Sequence, residues 1–156
     1  MKKLVIGNWK SHKTLKEAKH WVDEFDDKLD ESLIQDAVDI VIAPSELYLA
    51  EVADELDTSV ALGAQDVSPY PTGKYTGATA ASQLASMGVK YAIVGHSERR
   101  QYFGEDHVQV ANKVEQCIDA GITPVVCVDD EYVSAQAAAI PSELHSKCII
   151  AYEALS

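Results

Sequence analysis

The sequence predicts an α/β domain built on a parallel sheet and extending over residues 1–156, and three observations carry that prediction. Short runs rich in β-branched residues recur along the chain without polar alternation, the pattern of strands buried on both faces. Between them lie longer stretches with the three-to-four-residue apolar spacing of helices. No linker, low-complexity tract or shift of composition breaks this order, so one domain is expected.

The elements follow in chain order. Leu4-Val5-Ile6 is the first expected strand. Thr14 with Glu17 then makes a capping box, and Leu15, Ala18, Trp21, Val22, Phe25 and Leu29 share one face, leaving Asp23, Glu24, Asp26 and Asp27 outward. Ile40-Val41-Ile42-Ala43 is the second strand, followed by a helix that Ser45 would cap and that would reach about Leu56. After the third strand, Val60-Ala61-Leu62, a helix would begin near Thr79 and stop at Gly88. Tyr91-Ala92-Ile93-Val94 is the fourth strand, and a helix from Glu105 to about Ala120, closed by Gly121, comes next. The fifth strand, Pro124 to Val128, precedes a short helix from Val133 to Ile140, which Pro141 ends. Cys148-Ile149-Ile150-Ala151 is the sixth. Helices on one face would curl such a sheet toward a barrel, and helices on both would leave it open and doubly wound. The spacing is compatible with either.

Charge narrows the function classes. The chain carries 13 Lys and Arg against 25 Asp and Glu, a net charge of −12, which repels nucleic acid and anionic lipid. No nucleic-acid or membrane partner is expected, and an anionic substrate would need a local concentration of donors. Met1-Lys2-Lys3 leads into only a few apolar residues before Asn8, and no run approaches the roughly 18 apolar residues of a membrane span. A cytoplasmic location is therefore expected. Cys117, Cys127 and Cys148 are odd in number and lack metal-ligand spacing, so reduced, core-type thiols and no metal site are expected, with Cys127 the one to follow.

Polar and ionisable residues gather just after the strands: Asn8 and Lys10, Gly95 to Arg100, Asp129-Asp130, and Glu153. In parallel α/β folds those ends form one face, so positions far apart in sequence converge. Taken singly each has an ordinary explanation. Lys10 would be a solvated cation, Glu153 an exposed carboxylate, His96 a loop histidine with one structural hydrogen bond. Arg99 and Arg100 with Glu98 and Glu105 would be a salt-bridge network holding the loop to the next helix.

Together they are less ordinary. Gly7-Asn8-Trp9-Lys10, Gly63-Ala64-Gln65-Asp66, Tyr75-Thr76-Gly77, Val94-Gly95-His96-Ser97-Glu98-Arg99-Arg100 and Ala151-Tyr152-Glu153 resemble, in that order, the triosephosphate isomerases. The likeness runs from about residue 3 to residue 153. It implies interconversion of dihydroxyacetone phosphate and glyceraldehyde 3-phosphate through an enediolate, without a cofactor. By the resemblance Glu153 would be the base, His96 a neutral electrophile toward the substrate oxygens, and Lys10 with Asn8 the substrate-binding pair that places positive charge there. Glu98 would position the lysine and histidine. Thr76 matches the residue that in the family reaches into a neighbouring subunit, so a homodimer is implied.

The likeness also implies an eight-stranded barrel of about 250 residues, of which this chain matches six βα units. The expected fold is thus an incomplete (β/α)8 barrel lacking the last two units. Ala154 stands where the family has a hinge proline, and Cys127-Val128-Asp129-Asp130 where it has Cys-x-Gly-Glu. Glycine- and serine-rich turns that would cradle the phosphate are not found after Glu153. Full activity would then require a complementary C-terminal fragment or an oligomer, the chain alone being weak or inactive. The alternative is a non-catalytic assembly protein built on the partial barrel.

Overall fold

A computed structural model of the chain describes residues 2–29 and 37–154. Six strands, β1 (Lys3–Asn8), β2 (Val38–Ala43), β3 (Ala61–Ala64), β4 (Tyr91–Val94), β5 (Thr123–Val128) and β6 (Ile149–Tyr152), form one sheet in sequence order. Every neighbouring pair is parallel, and the register runs Gly7 beside Ile42, Ile42 beside Leu62, Val94 beside Val126 and Val128 beside Tyr152. The sheet is a curled half-barrel with the helices between its strands, the incomplete (β/α)8 arrangement expected.

The two faces of the sheet explain the curl. Ile42, Leu62, Ala64, Ala92, Val94, Val126 and Val128 point outward and share one large cluster with helical residues. Those residues come from α1 (Leu15–Lys28), α2 (Leu49–Glu55), α3 (Ala81–Ser86) and α5 (His107–Asp119). The opposite face holds a second, smaller cluster of Ala43, Ile93 and Cys127 with Ile6 and Ala151. Helices cover one face and strand residues alone fill the other, so the barrel-like alternative is the one realised. Gly63 shapes the concave layer, since a Cβ there would lie 2.8 Å from Val41 Cγ1 and 3.4 Å from Ala43 Cβ.

Most helix signals hold. Thr14 and Glu17 make the capping box of α1, whose Trp21 packs edge-on against Trp9 at 4.9 Å and stacks on Phe25 at 4.8 Å. Gly88, Gly104 and Gly121 end their helices in the left-handed region, with φ of 84°, 65° and 76°. Other boundaries differ. Ser45 caps only a 3₁₀ turn, Glu46–Tyr48, through its carbonyl, and the α-helix proper starts at Leu49. The third expected helix begins at Ala81, where Gln83 reaches back to the Ala80 N–H. The next begins at His107 because Asp106 and Gln109 make a capping box, while Glu105 turns inward to Lys113. An unforeseen helix, α4 (Ser97–Phe103), follows β4 directly. The last, α6 (Val133–Ala139), is followed by a 3₁₀ segment, Ser142–Lys147.

Among the described residues β1 and β6 each pair on one side only. Ile150 and Tyr152, on the outward side of β6, are each 59% exposed, unlike their counterparts on the inner strands. Replacing Gly63 by alanine should overpack the concave layer and lower stability by about 1–3 kcal/mol. The measurement is the urea unfolding midpoint; an unchanged midpoint would show that Val41 has room to move.

Candidate active site

The strand ends build the site one residue at a time. After β1 the chain turns through Lys10, a non-glycine residue in the left-handed region with φ of 53°. Two hydrogen bonds hold that turn: the Lys10 N–H donates to Asn8 Oδ1 at 2.9 Å, and Gln65 Nε2 donates to the Lys10 carbonyl at 2.9 Å. Gln65 also donates to the Ala43 carbonyl at 3.0 Å, so the turn is fastened to β2. Lys10 Nζ then lies 2.5 Å from Glu98 Oε1.

After β4 the chain reverses at Gly95, φ 67°, and His96 caps α4. His96 Nδ1 accepts the Glu98 N–H at 3.2 Å, which in a neutral imidazole leaves the proton on Nε2. That nitrogen lies 3.2 Å from Glu153 Oε1. Glu153 follows β6, its own N–H donating to the Val128 carbonyl at 2.8 Å. Its carboxylate accepts both the Ser97 N–H and the Ser97 hydroxyl, each at 2.9 Å. Lys10, Glu98, His96 and Glu153 therefore form one chain of contacts across three strand ends, beside a cavity of about 450 Å³ lined by Asn8, Lys10, His96 and Phe103.

Electrostatics follow from the pairings. The Glu98 hydrogen bond raises the pKa of the Lys10 ammonium above the ordinary lysine value, and the same bond holds the Glu98 carboxyl below the carboxylate range. Asp66 is pushed up by burial, although Lys113 at 2.6 Å and Arg99 at 3.0 Å partly offset it. Burial likewise pushes the Cys117 and Cys127 thiols up to about 12, as core-type thiols require. Thr76 stands apart from the central cluster, exposed in the loop between β3 and α3, where it lines a cavity of about 380 Å³ with Asp66, Arg99 and Lys113.

The expected arginine network holds for Arg99 with Glu105 and differs for Glu98 and Arg100. Glu98 pairs with Lys10 and takes neither arginine, because α4 turns its first-turn carboxylate toward the β1 loop. Arg99 joins Asp66 and Glu105, with Lys113 as a second cation. Arg100 points into the protein and meets carbonyl and amide oxygens instead of a carboxylate. Gln65 and Ser97 carry the Lys10 and Glu153 contacts and were visible in sequence only as members of the matching words. Lys113 gave no signal, sitting on the buried side of α5. Among the described residues no group of three or more His, Cys, Asp or Glu could hold a metal, and no helix is long and apolar enough to cross a membrane.

Comparison with known proteins agrees with this geometry. The family model described as triosephosphate isomerase matches residues 3–155. The chain belongs to the triosephosphate isomerase family. It is 44% identical over 137 residues to the triosephosphate isomerase of Paracidovorax citrulli, covering 87% of this chain and 54% of that protein. To that of Thermus thermophilus it is 45% identical over 127 residues, 81% of this chain and 50% of the relative. To that of Mesomycoplasma hyopneumoniae it is 35% identical across 98% of this chain and 69% of the relative. The chain thus spans about half the length of the first and second of these relatives, and about two thirds of the third.

Two measurements check the electrostatics. At pH 8 the native chain should leave Cys117 and Cys127 unmodified by iodoacetamide, and urea should expose both, as read by mass spectrometry. The Glu98 carboxyl has a lowered folded pKa, so its contribution to stability is present above the ordinary carboxylate range and is lost as pH falls through the lowered value. Both partners are nearly half exposed, so screening limits that contribution to less than about 1 kcal/mol. Glu98→Gln should bring the Lys10 pKa back toward the ordinary lysine value in an NMR titration and flatten the acid limb of the stability curve by that amount.

Proposed function

We propose that this chain supplies the proton-transfer face of a triosephosphate isomerase, interconverting dihydroxyacetone phosphate and glyceraldehyde 3-phosphate through an enediolate. The observation that carries the reading is the contact chain from Lys10 through Glu98 and His96 to Glu153. In it Glu153 takes the carbon-bound proton, which requires its carboxylate to leave Ser97 and turn toward the substrate. His96, with Nδ1 occupied by the Glu98 N–H, presents Nε2–H to the oxygen on which charge develops. Lys10, with Asn8 beside it, adds positive charge at the same place, and Glu98 holds the ammonium in line.

Completion belongs to the same proposal. The chain works with polypeptide corresponding to the rest of the longer relatives, joined to it or separate, and with a second copy contacting the Thr76 loop. The sides of β1 and β6 that are unpaired among the described residues, and the exposed Ile150 and Tyr152, support such a partner. The same exposed strand favours one second reading, an assembly protein that uses the half-barrel without catalysis. A cytoplasmic setting suits a phosphorylated substrate and reduced thiols.

The test is an isomerase assay on the chain alone, on the chain mixed with a polypeptide spanning the remaining part of a relative, and on that mixture carrying Glu153→Gln. The chain alone should turn over weakly or not at all. Mixing should restore activity, and Glu153→Gln should then remove it by roughly 10²–10⁴-fold. A stable complex with no activity would reject the isomerase reading in favour of assembly.

A further inference from the structure

Behind the candidate site lies a buried charge that the proton-transfer scheme does not use. Arg100, on α4, is only 8% exposed, and no carboxylate meets it among the described residues. Its Nε donates to the Gly95 carbonyl at 2.8 Å, and Nη2 donates to the Cys127 carbonyl at 3.2 Å and to Gln136 Oε1 at 2.8 Å. The guanidinium lies 4.7 Å from the centre of the Tyr132 ring, and Nη1 is buried without a partner among the described residues. Burying a guanidinium without a counter-charge is costly, and an apolar side chain of similar volume would ordinarily fill such a space at lower cost. Retaining the charge therefore asks for a role beyond packing.

The geometry points to that role: Arg100 and Gln136 are positioning residues for His96. The Gly95 carbonyl that Arg100 holds belongs to the peptide immediately preceding His96. The turn is moulded around the guanidinium, since a Cβ on Gly95 would lie 2.6 Å from Arg100 Nη2 and 3.0 Å from Val110 Cγ2. Fixing that peptide fixes the direction in which the His96 ring leaves the backbone. The ring must leave in that direction for Nδ1 to accept the Glu98 N–H while Nε2 faces Glu153. Gln136 extends the clamp to two further elements, because its Nε2 donates to the His107 carbonyl at 3.1 Å while its Oε1 receives Arg100. The ends of β4 and β5 and the helices α4, α5 and α6 are thus tied through two side chains. Planarity matters here, since a lysine could offer its donors from one point only.

The catalytic consequence rests on the isomerase reading, whereas the effect on His96 does not, so the experiment reads both. In the full chain with ¹⁵N-labelled histidine, His96 should show an unprotonated Nδ1 and a protonated Nε2. Gln136→Leu removes the acceptor for Arg100, Arg100→Met removes the charge, and both should mix the two His96 tautomers. Gln136→Glu keeps an acceptor and should retain the wild-type signature. In the completed enzyme Gln136→Leu should lower kcat by about tenfold with KM nearly unchanged, as expected when a catalytic group is misplaced. Circular dichroism establishes folding, and if Arg100→Met does not fold, the Gln136 pair decides. Loss of the His96 signature without isomerase activity in any arm would support the clamp and count against the isomerase reading. Folded Gln136→Leu with an unchanged His96 spectrum would overturn the proposal.

Discussion

The rest of this structure depends on the parallel pairing of six strands with helices on one side only. Parallel strands end at the same edge, so Asn8, Gly95, Asp129 and Glu153 all lie along that one edge although they span nearly the whole chain. One-sided helices leave the concave face to strand residues. There the space is filled by small or medium side chains, Ala43, Ile93, Cys127 and Ala151, with Gly63 where even a methyl group is too large. A doubly wound sheet would have the same strand ends but no such curled inner surface.

On that edge the chain uses its few cations deliberately. With a net charge of −12 it cannot attract an anion as a whole, yet several of its cations lie at or behind the site. Each has a different task. Lys10 faces the cavity, steered by Glu98 and by a left-handed backbone that Asn8 and Gln65 hold. Arg99 and Lys113 neutralise Asp66 and Glu105. Arg100 faces inward to carbonyl dipoles. The local field at the cavity is therefore set by pairing geometry, which overall composition does not describe.

Legibility in the sequence followed periodicity closely. All six strands were readable as short apolar runs, a pattern that burial on both faces explains for β3, β4 and β5 but not for the more exposed β1 and β6, and α1 was readable because its apolar stripe and capping box coincide. α4 was not readable. His-Ser-Glu-Arg-Arg has no apolar stripe, since the helix buries an arginine and spends its first turn on the site. Ser45 and Glu105 misled for a related reason: their side chains answer to partners elsewhere in the fold or make no cap at all, and the helices begin instead at Leu49 and at His107, which Asp106 caps. For the site, the residue words pointed to Lys10, His96, Glu98 and Glu153. Nothing in those words says that Ser97 holds Glu153 by two hydrogen bonds, or that Arg99 and Arg100 part company.

The sequence by itself determined the order of the strands, the parallel class of the sheet, the thiol character of the cysteines and which residues would meet at the strand ends. Those properties are local, resting on the polarity of successive positions and on strong caps. The tertiary structure decided the curl, the α4 helix and the partners of every charged side chain. These depend on which surfaces meet, because a long side chain at one position can reach several elements. Glu98, three residues past Gly95, could have joined either neighbouring arginine and instead joins a lysine 88 residues away, since the parallel sheet brings the end of β1 within its reach.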